Sequence, residues 1–117
     1  MCDILVRKMA IVARLKRFDQ LSFEAGRKSN YNNANKSVLC LVVSCVFGTP
    51  LADVLSKRIW RSIEAERDAD CLTDVDQRET GFAYSNSSPR DLIRLGQLLL
   101  ASGKLDDRQI IPGCWVA

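Results

Sequence analysis

Between Val38 and Phe47 every residue except Ser44 is apolar, and this run, VLCLVVSCVF, lies between an asparagine-rich turn and Gly48. Val38, Val42, Val43 and Val46 are β-branched and would suit a strand. The length of the run, a cap from Asn33 or Asn35 and Gly48 as the C-terminal stop predict a helix instead. Such a helix is apolar nearly all round, so it needs packing partners on several sides. Thr49 and Pro50 then supply a cap and a first-turn proline for a second helix, with Leu51, Val54, Leu55, Ile59 and Ile63 on one face. Together these segments predict a helical hairpin over 36–63.

Elsewhere the patterning is weaker. Ile4, Ile11, Leu15 and Phe18 fall near one stripe at helical spacing, which predicts a helix over 3–21. From Phe23 to Asn35 the chain reads as loop and turn, and Gly26 is the residue able to take positive φ there. Periodicity fails over 64–87, a loop in which Cys71-Leu72 and Phe82-Ala83-Tyr84 are candidate short strands. Ser88-Pro89-Arg90-Asp91 is a helix start, with a serine cap, a first-turn proline and an acid three residues on to form a capping box. Leu92, Leu95 and Leu99 are the expected core stripe of a helix over 89–101, which Gly103 ends. The fold class expected is mainly α with one or two short strands.

Composition narrows the function classes more than the fold. A 117-residue chain, 47% apolar and 26% charged, is ordinary for one globular domain or part of one. The net charge of +3 is too small to imply nucleic acid. Arg7, Lys8, Arg14, Lys16 and Arg17 read as a solvated basic face, with no aromatic residues interleaved for base stacking. Five cysteines without a Cys-x-x-Cys pair support neither a disulfide framework nor a zinc site. Asp74 and Asp76 lack the spacing of a calcium loop, because Arg78 falls at the third ligand position. The apolar run is too short to span a bilayer, which needs about 20 residues. No signal peptide is read at the N-terminus, so a reducing, cytoplasmic compartment is the default expectation.

With no histidine in the chain, Ser-His-Asp and Cys-His catalysis are excluded. A hydrolytic base would have to be a lysine, a tyrosine or a carboxylate.

Two blocks point to one family. The first is Phe23-Glu24-x-Gly26, then Tyr31-x-Asn33, a helix, Gly48 and Leu51-Ala52-x-x-Leu55. The second is Ser88-x-x-Asp91-Leu92, a glycine-bearing loop, Gln109-Ile110-Ile111-Pro112 and Trp115-Val116. In this order and spacing they resemble the β-lactamase-like, penicillin-recognising serine hydrolases, in the branch with class C β-lactamases, esterases and 6-aminohexanoate-dimer hydrolases. The resemblance covers residues 18–117 as a partial domain and leaves 1–17 as an unmatched, helical N-terminal segment. It departs from the family pattern at Ala25-Gly26, where the family usually has Pro-Gly, and at Tyr84–Ser87, where the family commonly has glycines.

The resemblance implies a helical subdomain of the β-lactamase/transpeptidase-like α/β fold, without its five-stranded sheet. It also implies acyl transfer to serine followed by hydrolysis of an amide, ester or β-lactam. In this family the tyrosine passes a proton between a Ser-x-x-Lys nucleophile and the leaving group. That role would fall to Tyr31, and Asn33 would orient substrate or lysine. No serine here has a lysine three residues on, and there is no Lys-Thr-Gly, so the chain holds one of three catalytic blocks and no turnover is expected from it alone. No cofactor or metal is implied. The expected partner is a small-molecule amide, ester or β-lactam substrate of the parent enzyme, with no nucleic acid and no membrane span. Self-association through the exposed apolar hairpin is also expected. The rival reading is a non-enzymatic helical module that binds a protein partner.

Overall fold

The computed structural model describes residues 10–18, 20, 22–81 and 85–116. These form two compact units, Met1–Leu51 with Cys71–Tyr84 and Ala52–Asp70 with Ser85–Ala117. Among the described residues the structure is mainly helical, as the patterning predicts, with four two-residue strands where one or two short strands are expected. Ile4 and the candidate strand Phe82-Ala83-Tyr84 lie outside the described residues.

In the first unit, α1 (Ile11–Leu15) packs against α2 (Asn33–Phe47). The stripe expected over 3–21 shortens here to five residues. Ile11 is fully buried, but the chain turns away at Lys16 and Phe18 is exposed with the Arg14 guanidinium over its ring. The Ile11 N–H, which has no partner inside its own helix, donates to Asp74 Oδ2 at 2.7 Å. Asp74 Oδ1 accepts from the Asp76 and Arg78 N–H groups, both at 2.9 Å, which folds the acidic loop around one carboxylate. Among the described residues no cluster of three or more His, Cys, Asp or Glu side chains is placed to hold a metal.

α2 begins at Asn33 because Asn32, in extended backbone, accepts the Ala34 N–H at 2.8 Å. The cap is therefore neither Asn33 nor Asn35. Gly48 ends the helix in the left-handed region, as expected. The packing of α2 differs from the all-round burial that its composition suggests. Its buried residue is Ser37, whose Oγ donates to the Thr80 carbonyl at 2.8 Å, while Leu39 is 63%, Val42 51% and Val46 74% exposed.

In the second unit, α3 (Leu51–Leu55) runs into a π-helical turn at Ser56–Trp60, where the Arg61 N–H reaches back five residues to Ser56. The sequence predicts a single-faced α-helix here. The wider turn rotates the residues beyond it relative to those before it; Val54, before the turn, and Ile63, after it, are buried, while Leu55 is exposed. The helix starts at Leu51, one residue after Pro50. Short strands follow, β1 (Asp70–Cys71) and β2 (Ser85–Asn86).

Ser88 caps α4 (Pro89–Leu100) and accepts the Asp91 N–H at 3.1 Å. The acid does not reach back to the Ser88 backbone as a capping box would have it. Asp91 Oδ2 accepts the Ser88 hydroxyl at 2.7 Å and Oδ1 accepts the Glu66 N–H at 2.8 Å. Those bonds turn Asp91 inward and correct the expected core stripe. Asp91 and Leu98 are fully covered, seven residues apart on one face, whereas Leu92 and Leu99 are 52% and 45% exposed. Glu66 joins the same corner through Arg94 at 2.8 Å and Arg90 at 3.5 Å.

After α4 the chain reverses at Gly103 into an antiparallel pair, β3 (Lys104–Leu105) with β4 (Arg108–Gln109), in which Lys104 faces Gln109. A 3₁₀ turn, Gly113–Trp115, follows.

Gly103 has φ +77°, and a Cβ there would lie 2.1 Å from the Ile111 carbonyl oxygen. Gly103→Ala should therefore lower unfolding stability by about 2 kcal/mol or more, from left-handed strain plus displacement of the 110–111 backbone. Denaturant unfolding of the variant measures this. A second expectation concerns acid. The Ser88 hydroxyl, then the Glu66 N–H, hold the Asp91 carboxyl below its ordinary 3.8. Its stabilising contribution is thus full above that value and disappears as pH falls through the lower folded value. Asp91→Asn should be less stable than the parent at pH 7 and show a flatter loss of stability below about pH 4 in acid unfolding.

Candidate functional site

Tyr31 belongs to the first unit, between the Gly26 turn and α2. Gly26 takes φ +80°, a conformation the alanine before it would resist, and the chain then runs extended into the cap. With Asn32 as N-cap, Tyr31 stands at the position before the cap and Lys36 at the fourth residue of the helix. These two positions face each other across a helix start, where a hydrophobic pair often staples the incoming chain. Here the pair is a phenol and a lysine. The Lys36 Nζ donates to the Tyr31 hydroxyl and lies 4.2 Å from the ring centroid. The ring is 84% exposed, so its hydroxyl is open to solvent and to any reacting group.

Asn33, the second residue that the resemblance singles out, is the first residue of α2 and half-buried. Its carbonyl accepts the Ser37 hydroxyl at 3.3 Å. The Tyr31 hydroxyl is met by Lys36 rather than by Asn33. Two other asparagines of the turn hold backbone: Asn32 caps the helix, and the Asn35 Nδ2 donates to the Asn30 carbonyl at 3.3 Å. Nothing in the sequence pattern marks Lys36 for this contact. Its position five residues after the tyrosine matches no one-face helix spacing, and the relation becomes legible only once Asn32 is known to be the cap.

A cavity of about 460 Å³ borders this turn. Phe18, Phe23 and Val38 give it an apolar wall, and Asn30, Asn32, Asn35 and Lys28 a polar one. One side of the cleft is thus apolar while the other offers donors and acceptors. Cys40, on the same helix, is a poor nucleophile. Burial pushes the Cys40 thiol up, and the charge of Glu79 adds to the effect, so this side chain stays protonated.

The second unit has a more open cavity of about 740 Å³ at the start of α4, edged by Glu66, Arg67, Asp68, Asp70 and Arg90. The hydroxyl of Ser87 is buried there, and among the described residues no partner for it is found. Arg90, not a lysine, follows it by three residues, so this serine lacks the base that a Ser-x-x-Lys nucleophile has. Among the described residues no helix is long and apolar enough to cross a membrane.

No protein-family model matches the chain. A curated relative, the 6-aminohexanoate-dimer hydrolase of Paenarthrobacter ureafaciens, is 32% identical over 90 residues, which are 74% of this chain and 22% of that enzyme. A solved structure from Bacillus anthracis, assigned to the 6-aminohexanoate-dimer hydrolases, superposes with a TM-score of 0.86 at 32% identity, covering 91% of this chain and 27% of that one. The chain thus spans about a quarter of the length of the relatives it matches. Sequence and backbone agree on the same relatives over most of these residues, and the chain belongs to the β-lactamase-like serine hydrolase family as a partial chain.

Proposed function

We propose that this chain supplies the tyrosine element of an acyl-transfer site whose serine nucleophile and lysine base come from other polypeptide of the same fold. The observation that carries this reading is Tyr31, which stands exposed at a capped helix start with the Lys36 amine on its hydroxyl. In the reaction, the serine oxygen attacks the carbonyl of an amide, ester or β-lactam, and its proton must leave as the bond forms. The phenol of Tyr31 receives that proton through its oxygen and returns one to the departing nitrogen or oxygen, which leaves an acyl-serine for water to hydrolyse. Asn33 orients substrate or lysine beside it. The chain alone lacks the attacking group and turns nothing over.

A fluorophosphonate or fluorescent penicillin should leave no serine of the isolated chain modified, as read by peptide mass spectrometry. The same probe should acylate a chimera of the Bacillus relative in which this chain replaces the segment it superposes on. Tyr31→Phe in the chimera should slow acylation by about a hundredfold. A serine adduct on the isolated chain would overturn its incompleteness, and an undiminished rate for the Tyr31→Phe chimera would overturn the role of the phenol.

The exposed side of α2 favours a second reading, self-association or docking of a protein partner. At 100° per residue, Val38, Val42, Val46 and Leu39 span an arc of about 100°, and no charged residue occurs between Ser37 and Ala52. Sedimentation velocity should show concentration-dependent oligomers of the chain, and Val42→Asp should return it to monomer. A monodisperse parent at high micromolar concentration would count against this reading.

A further inference from the structure

The pairing of Tyr31 with Lys36 is built into the helix start. Residues just before an N-cap and at the fourth helical position are brought together whenever the cap forms, and the pair gains when both side chains have apolar bodies. A tyrosine ring and a lysine stem meet that need. Their polar ends then fall together: the ammonium lies 4.2 Å from the ring centroid, at its hydroxyl end, and donates to the phenol oxygen. Two other side chains of the turn are committed to backbone, Asn32 to the Ala34 N–H and Asn35 to the Asn30 carbonyl. Lys36 is thus the cation that meets the phenol, and it reaches it from within the same element.

We propose that Lys36 is the positioning residue of Tyr31, its ammonium held by the helix cap against the phenol so that it faces the negative charge growing on that oxygen as the proton leaves. The inference rests on the proton-relay reading of Tyr31 but adds to it. The relay oxygen carries its own local counter-charge and does not depend solely on a lysine brought by the nucleophile. An ammonium already in place needs no reorganisation when charge develops, which is what makes such a contact useful in proton transfer. Because the pair is open to solvent, salt weakens its effect.

The test uses the chain by itself, with an arylsulfonyl fluoride as probe. The Tyr31 oxygen attacks sulfur, an O–S bond forms, the S–F bond breaks, fluoride departs and the phenolic proton goes to solvent. Peptide mass spectrometry locates and times the adduct. Lys36→Met keeps the apolar stem and a strong helix former while removing the charge, and Lys36→Arg keeps the charge. The expected result is an adduct on Tyr31 that forms at least fivefold more slowly in Lys36→Met, is largely restored in Lys36→Arg, and slows in the parent at 0.5 M salt, where the Debye length falls to about 4 Å. Circular dichroism of the three proteins should coincide, since both side chains lie at the surface.

Equal labelling rates for the parent and Lys36→Met would overturn the proposal, because a stem that only packs would be replaced by methionine without loss. So would a Lys36→Arg rate no higher than that of Lys36→Met, or an adduct on Lys36 itself in place of Tyr31. These outcomes are separate from the chimera experiment. A Tyr31→Phe chimera that loses acylation, beside a Lys36→Met chain that labels at the parent rate, refutes Lys36 and leaves Tyr31 standing.

Discussion

A single hydrogen bond sets the geometry on which the candidate site depends: the carboxamide oxygen of Asn32 accepts the Ala34 N–H at 2.8 Å. It satisfies one of the donors that every helix leaves unpaired at its start, and a cap of this kind contributes about 1 kcal/mol. Its structural consequence is larger than that energy. With the cap at Asn32, Asn33 becomes the first helical residue, Tyr31 is held outside the helix, and Lys36 lies one turn in, facing it. Moving the cap by one residue would rotate Lys36 away from the phenol by about 100°.

The same helix shows how burial in this chain runs against hydropathy. α2 turns Ser37 inward and its valines outward. The inward side is acceptable because the Ser37 hydroxyl has partners in the Thr80 and Asn33 carbonyls, so no polar atom is stranded. A carboxylate does similar work at the loop that follows in space: Asp74 takes three backbone N–H groups, one of them 63 residues away in sequence. In the second unit Asp91 repeats the device with the Ser88 hydroxyl and the Glu66 N–H. Each unit is therefore tied by an acid bonded to backbone as much as by its few buried apolar side chains, Ile11 in one and Val54, Ile63 and Leu98 in the other.

Such ties override the local pattern of apolar residues. Leu92, Leu95 and Leu99 form a regular stripe, and periodicity has no means of ranking it below the neighbouring stripe of Asp91 and Leu98. The Glu66 N–H decides between them, and it comes from 25 residues away. The apolar spacing after Leu51 predicts a continuous helix, yet the Arg61 N–H bonds five residues back and shifts the register. Three asparagines near the start of α2 are chemically equal as caps, so composition could not separate Asn32 from Asn33 and Asn35.

What the sequence determined by itself is everything that depends on short range. The helical class, the Gly48 stop, the Ser88-Pro89 start, the turn at Gly26 and the family blocks around Tyr31 and Trp115 all follow from neighbouring residues, since turn, cap and propensity energies act within a few positions. The Lys36 contact with the phenol is local too, but it depends on which of three chemically equal asparagines caps the helix. Tertiary structure alone decided which face of each helix is covered and which acid ties which loop, because those outcomes hang on bonds between groups distant in sequence, and the free energies that settle them do not exist until the chain has folded back on itself.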